Sequence, residues 1–243
     1  GKDAIAVLPT GGGKSLCYQL PALICQGLVV VISPLVALMQ DQVEQLNRRE
    51  IRAACLHAGL GPDLLKDTLS SLEDEQLRLL YLAPERIQSP VLQGFLQKKA
   101  THGEIVAVAI DEAHCISSWW HDFRPDYRRI GELRSLCPEV PLVALTATAG
   151  PEIRADIIKL LSLQNPLVQV CSAQRKNLIY SMSRRSKEPL KDVLKILQGS
   201  RGAALIYART RRSVERWVKS LQDAGISAIP YHAGLDHDSR QDA

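Results

Sequence analysis

The amino-acid sequence predicts an α/β fold with a parallel sheet, arranged as two tandem lobes. Three observations carry this expectation: short apolar runs that alternate with helical periodicity, glycine-rich or acidic motifs where such runs end, and an internal repeat. The runs are Ile5 to Leu8, Leu28 to Ile32, Leu77 to Leu82, Ile105 to Ile110, Leu142 to Leu145, Ala203 to Tyr207 and Ser227 to Tyr231. Runs this short, without polar alternation, suit strands covered by helices on both faces, the environment of a parallel sheet. Between them Leu35, Leu38, Met39, Val43 and Leu46 share one helical face, and Val214, Trp217, Val218 and Leu221 share another. Pro34, Pro84, Pro125 and Pro151 border runs or loops, where proline suits the first turn of the next helix.

Displacing the chain by 175 residues aligns 28–60 with 203–235 without a gap, and 8 of 33 positions coincide. Both segments end in His-Ala-Gly-Leu, at 57–60 and 232–235. Two explanations stand: a duplicated strand-helix-strand unit, or hydrophobic patterning with a shared His-Ala-Gly turn. The expected lobes are 1–175 and 176–243, joined through the polar, basic stretch from Cys171 to Lys187.

Of 243 residues, 46% are hydrophobic and 23% charged, which excludes collagen-like, disulfide-scaffold and disordered classes. No apolar run approaches the ~20 residues of a membrane helix and no leader is visible, so a soluble, non-secreted protein with no membrane partner is expected. The net charge of +4 is unevenly spread. Residues 1–170 carry 16 Lys/Arg against 19 Asp/Glu, whereas 171–243 carry 14 against 7. Such an excess suits a polyanion such as nucleic acid, and equally a solvated face. Cysteines 17, 25, 55, 115, 137 and 171 form no CxxC pair, so neither a zinc knuckle nor a redox motif is expected.

Thr10-Gly11-Gly12-Gly13-Lys14-Ser15 follows the first run and precedes a helical segment from Leu16 to Ile24. Glycines let backbone N–H groups turn inward as an anion nest, and the new helix adds its N-terminal dipole. In this reading Lys14 reaches the outer phosphates of ATP and the Ser15 hydroxyl takes a Mg²⁺ position. The general phosphate-loop pattern wants glycine where Leu8 stands. The run from Ile105 to Ile110 leads into Asp111-Glu112-Ala113-His114. Carboxylates at that strand end suit Asp111 as a Mg²⁺ holder and Glu112 as the group that orients and deprotonates water. His114 is read as a coupling residue near the γ-phosphate.

These segments, with Thr146-Ala147-Thr148, resemble motifs I, II and III of superfamily 2 helicases. Asp111-Glu112-Ala113-His114-Cys115-Ile116-Ser117, with Trp119, His121-Asp122-Phe123-Arg124-Pro125 and Tyr127, is similar to the RecQ DNA helicase family. The likeness extends through Leu16 to Ala22, Ser33-Pro34-Leu35, Ala83-Pro84-Glu85-Arg86 and Tyr231 to Leu235. It implies a P-loop NTPase with tandem RecA-like lobes: an ATP-binding domain at 1–175 and the beginning of a second at 176–243. The implied activity is ATP-dependent 3′ to 5′ translocation on single strands and unwinding of duplex, in DNA repair and recombination. Single-stranded and forked DNA would be the partners, and the cytoplasmic nucleoid or the nucleus the place. The family's adenine-reading segment and arginine finger find no counterpart here, so the chain is read as part of a longer enzyme. An ATP and nucleic-acid binding module without turnover is the alternative, and an RNA helicase of the same superfamily is a further rival.

Four of the chain's aromatics, Trp119, Trp120, Phe123 and Tyr127, fall within nine residues beside His121, Arg124, Arg128 and Arg129. Composition alone serves equally a platform for single-stranded bases or a small local core. The resemblance implies single-strand sensing by Trp119, His121, Phe123 and Arg124. Where the family has a small residue, Trp120 places an indole, read as packing. Ser33, Pro34, Pro84 and Arg86 would hold backbone phosphates at helix starts, or simply cap those helices. Thr146 and Thr148 would couple the Mg²⁺ site to the DNA face.

Overall fold

The computed structural model describes residues 1–60, 68, 70, 76–117, 129–172, 177–184, 186–199, 202–236 and 239. The chain divides into two compact units, Gly1–Leu178 and Ile179–Ala243. In the first, seven strands form one sheet: β1 (Ala4–Val7), β2 (Leu28–Ile32), β3 (Ala53–Leu56), β4 (Leu79–Leu82), β5 (Ile105–Ile110), β6 (Leu142–Thr146) and β7 (Leu167–Val170). Their order is β3-β4-β2-β5-β6-β1-β7 and every pairing is parallel.

Alternation along each strand divides the core in two. Leu28, Val30 and Ile32 of β2 join a cluster with Leu92, Leu96, Ile157 and Leu161. Val29 and Val31 face the other way, onto Tyr18, Ala22, Met39 and Leu46. Helices α1 (Leu16–Ile24) and α2 (Val36–Asn47) therefore cover one face, and α3 (Pro90–Thr101) and α4 (Pro151–Leu160) the other. On α2 the expected stripe is only partly buried: Met39 and Leu46 are covered, whereas Leu35 and Leu38 remain exposed. The five runs expected in this unit form strands within two residues of their expected limits. β3 and β7 were not among them, since Ala53–Leu56 is small-residue rich and β7 is an exposed edge.

In the second unit, α5 (Pro189–Gln198) and α6 (Arg211–Asp223) form as helices. Thr210 caps α6, its side chain accepting from the Ser213 amide at 3.1 Å. The strands expected at 203–207 and 227–231 are absent. An apolar run becomes a strand only where a neighbour completes its hydrogen-bond ladder. Here Leu205, Tyr207 and Tyr231 stand 86%, 92% and 67% exposed. The repeat is nevertheless carried into side-chain geometry. His57 Nδ1 accepts from the Gly59 amide at 3.2 Å, and His232 Nδ1 from the Gly234 amide at 3.1 Å. The other ring nitrogen meets the preceding helix in both cases: Gln40 Nε2 at 3.3 Å and Glu215 Oε1 at 2.7 Å. Gln40 and Glu215 occupy equivalent positions of the repeat.

Asp3 fastens β1 to the far end of the first unit. Only 5% exposed, it accepts from the Leu142 amide at 2.8 Å, the Gln164 amide at 2.7 Å and Arg134 Nη2 at 2.6 Å. Burial pushes its carboxyl upward, but the two amides and the Arg134 guanidinium together hold it below the ordinary aspartate value. A depressed carboxyl contributes stability above its unfolded value and loses it as pH falls through the folded one. Asp3→Ala should therefore cost about 3 kcal/mol at neutral pH. In urea unfolding followed against pH, the gap to the unsubstituted chain should close in acid; a gap independent of pH would count against the ionic account.

Candidate functional site

The phosphate-loop segment leaves β1 and is tied to β6 at once, because the Leu8 amide donates to the Thr146 carbonyl at 3.0 Å. A tight turn follows, closed by the Gly12 amide on the Pro9 carbonyl at 2.8 Å. Gly11 and Gly13 have φ of +77° and +80°, in the left-handed region that a Cβ penalises. At Gly12 a Cβ would come within 2.8 Å of the Pro9 oxygen. Ser15 leads into α1 without a side-chain cap, and the Leu16 and Cys17 amides donate back to the Gly13 and Lys14 carbonyls, each at 3.0 Å, so the loop winds directly into the helix. Lys14 and Ser15 are partly exposed within this cradle.

The acidic strand end lies two strands away, with β6 between β5 and β1. The Asp111 amide continues the ladder, donating to the Ile32 carbonyl at 2.8 Å. Asp111 is 6% exposed, and its carboxyl is pushed up to about 6 by burial first and then by the charge of Glu112; Lys14 and His114 pull the other way. Glu112 adopts the left-handed conformation, φ +48° and ψ +43°, a strain of about 1 kcal/mol for a residue with a Cβ. Its Oε2 lies 3.2 Å from His114 Nδ1.

Thr146, fully buried at the end of β6, closes the arrangement. Its Oγ1 donates to the Thr148 carbonyl at 3.1 Å, accepts from the Thr148 amide at 3.3 Å, and meets His114 Nδ1 at 2.8 Å. Because the threonine hydrogen is committed to Thr148, His114 Nδ1 must carry its own hydrogen toward Thr146 and Glu112. Thr10 to Ser15, Asp111 to His114, Thr146 and Thr148 are thus gathered at one edge of the sheet. Oxygen donors from Ser15 and Asp111 fit a hard cation such as Mg²⁺, with phosphate oxygens and water completing its shell. Among the described residues no cluster of three or more His, Cys, Asp or Glu side chains offers a metal site made of protein alone.

Ser33 is buried and Pro34 follows it at the end of β2; Pro84 opens a short 3₁₀ turn, Pro84–Gln88, after the neighbouring β4. Arg86 Nη2 donates inward to the His57 carbonyl at 2.7 Å, and Glu85 Oε1 accepts from the Ala58 amide at 3.2 Å, so the His57 turn is part of this region. Trp119, His121, Phe123 and Arg124, with Trp120 and Tyr127, lie outside the described residues. Sequence reasoning assigned no role to Tyr81, Gln19 and Gln42, where Gln19 Nε2 donates to the Tyr81 hydroxyl at 3.4 Å and to Gln42 Oε1 at 2.6 Å. A tyrosine inside the apolar run Leu79-Leu80-Tyr81-Leu82 was the available signal. No helix among the described residues is long and apolar enough to cross a membrane.

The chain is 42% identical over 242 residues to the ATP-dependent DNA helicase RecQ of Pasteurella multocida (strain Pm70), covering 99% of this chain and 38% of that protein. It is 40% identical over 248 residues to the probable ATP-dependent DNA helicase RecS of Bacillus subtilis (strain 168), covering 99% and 48%. It thus spans less than half the length of either relative. In fold it is similar to the crystal structure of the DUF1998 helicase MrfA bound to DNA, with a TM-score of 0.73 at 18% identity, covering 100% of this chain and 38% of that one. The sequence model of the DEAD/DEAH box helicases matches residues 1–156, the stretch that holds the phosphate loop, the acidic strand end and the threonine bridge, and the chain belongs to that family.

Proposed function

We propose that this chain is the motor core of a RecQ-type ATP-dependent DNA helicase, coupling ATP hydrolysis to 3′ to 5′ movement on single strands and to separation of forked duplex during repair and recombination. The observation that supports it most is the bridge of Thr146 and His114 between the two phosphate-facing motifs. In this reading the loop from Thr10 to Ser15 cradles the phosphates through its amides other than that of Gly12, which Pro9 holds, and Lys14 offsets charge that develops on the γ-phosphate. Ser15 and Asp111 hold Mg²⁺, which when bound neutralises phosphate charge. Glu112 accepts a proton from the attacking water. His114, held by Thr146, passes the state of the site toward Thr148 and the strand ends where Ser33, Pro34, Pro84 and Arg86 would meet the DNA backbone. Residues 1–175 would be the ATP-binding domain and 176–243 the start of a second RecA-like domain, working in the nucleoid or nucleus.

A second reading, binding of ATP and nucleic acid without turnover, draws support from the unpaired runs at 203–207 and 227–231. Steady-state ATP hydrolysis with and without single-stranded DNA separates the two. Stimulated turnover is expected; nucleotide binding without hydrolysis would favour the second reading, and neither would remove both.

The aromatic segment gives a further expected result. Trp119→Ala with Phe123→Ala should weaken single-strand binding at least tenfold, since a stacked base contributes about 1 to 3 kcal/mol. DNA stimulation of hydrolysis should vanish while the basal rate persists. Unchanged stimulation in a folded double variant would make the segment a packing element.

A further inference from the structure

The proposed reaction leaves unused a buried histidine that three elements share. His57 follows β3 and is 5% exposed. Its Nδ1 accepts from the Gly59 amide at 3.2 Å, and its carbonyl accepts from Arg86 Nη2 at 2.7 Å. Glu85 Oε1 accepts from the Ala58 amide at 3.2 Å, so the same turn is held twice from the 3₁₀ segment Pro84–Gln88. Gln40 of α2 brings its side-chain amide to 3.3 Å from the ring Nε2. One residue therefore joins α2, the helix that follows Ser33 and Pro34, to the segment that carries Pro84 and Arg86.

The neighbours determine where the ring keeps its hydrogen. An amide N–H can only donate, so Nδ1 is bare, and the neutral imidazole bears its hydrogen on Nε2. Toward Gln40 the ring is then a donor, and a half-turn of that amide presents its oxygen. The second unit repeats the device: His232 accepts from the Gly234 amide and meets Glu215, the equivalent of Gln40. There Arg211 lies against the turn, its Nη1 only 3.1 Å from where a Cβ on Gly234 would stand. Arg86 and Arg211 are not equivalent in the repeat, yet each histidine-locked turn has an arginine laid on it. A bond to a carbonyl holds a guanidinium without neutralising it, and most of its five N–H donors stay available. Arg86 is only partly covered, which leaves its outer edge for a phosphate.

Resting on the DNA-binding reading above, we infer that His57 is a positioning residue for the single strand: its ring, braced by Gln40, fixes the turn whose carbonyl aims Arg86 at a backbone phosphate. The contact with DNA belongs to Arg86. His57 sets where that contact stands relative to Ser33 and Pro34.

The test is the fluorescence anisotropy of a fluorescein-labelled oligodeoxythymidine, titrated at several salt concentrations. Each phosphate contact on a single strand adds about 0.7 to the steepness of log affinity against log salt. His57→Ala should weaken binding about tenfold, the loss of one charge-assisted contact, and lower the steepness by about 0.7. His57→Asn should recover part of both, since its Oδ1 can accept from Gly59 as an Asx turn does while Gln40 is beyond its reach. Arg86→Ala added to His57→Ala should cause no further loss, because both act through one contact. A folded His57→Ala chain with unchanged affinity, or with affinity lost at unchanged steepness, overturns the inference. Should His57→Ala fail to fold, Gln40→Ala at its exposed helix position decides by the same titration. A smaller shift in the same direction is expected there, and unmoved affinity and steepness overturn the inference too. Absence of oligonucleotide binding by the unsubstituted chain would instead remove the DNA reading on which it stands.

Discussion

Alanine at Lys14 is expected to slow ATP turnover about a hundredfold, the equivalent of roughly 3 kcal/mol of lost transition-state stabilisation. The lysine ends a loop whose geometry is held by glycine conformations and by the Gly12–Pro9 turn, neither of which involves its side chain. The fold should therefore survive, and the thermal midpoint should stay where it was. The loss has a second part. Lys14 is one of the charges that lower the Asp111 carboxyl, so its removal leaves a buried acid that already titrates near 6 with less support for its ionised form. Nucleotide affinity and turnover should fall together, and the pH at which Mg²⁺-dependent binding is lost should move upward. Turnover and affinity that both persist in a folded Lys14→Ala chain would place the phosphate site elsewhere.

Glu112→Gln should separate binding from chemistry. Glutamine keeps the size of the side chain and tolerates the left-handed backbone no worse than glutamate, but it cannot accept the proton of an attacking water. A positioned base contributes about 10² to 10⁴ in rate, so single-turnover hydrolysis should drop by about a thousandfold within that range while ATP and Mg²⁺ remain bound. His114 would lose its ionic neighbour yet keep the Thr146 hydroxyl, so the bridge to β6 should stay intact. Loss of nucleotide binding in this variant would make Glu112 a structural residue. Read together, the two substitutions predict different signatures: Lys14→Ala weakens both binding and turnover, Glu112→Gln turnover alone.

The parts of the site that were legible in sequence are those written within one short window. The phosphate loop is six consecutive residues, Thr10 to Ser15, and the acidic strand end is four, Asp111 to His114, because each motif is a strand end and the turn that leaves it. Five of the seven strands in the first unit were legible for the same reason, each being an uninterrupted apolar run within one short window. What escaped depends on partners distant in the chain. The His114–Thr146 contact joins residues 32 apart, the Asp3 anchor spans more than 130, and Tyr81 approaches Gln19 from 62 positions away. β7 is a strand only because β1 lies beside it. Conversely, 203–207 and 227–231 have the composition of strands and no ladder to join, which periodicity cannot reveal. Their His-Ala-Gly turns did repeat, since that geometry needs only a histidine and the glycine two residues later.

The place of β1 in the sheet also sets the order in which this protein can be made. β1 leaves the ribosome before the other strands of this sheet, yet among the described residues its sheet neighbours are β6 and β7, about 140 to 160 residues later. Until that far segment has emerged, the strand that launches the phosphate loop has no edge on which to settle, and Asp3 has none of its three partners. Closing so long a loop is entropically costly before any contact rewards it. β2, β4 and β5 pair among themselves and can assemble first, leaving a half-built sheet whose open edge waits for β6. On the proposed reading, nucleotide binding would be the last property the first unit acquires during synthesis, and a chain released before β7 is complete would carry Thr10 to Ser15 without the neighbours that hold them.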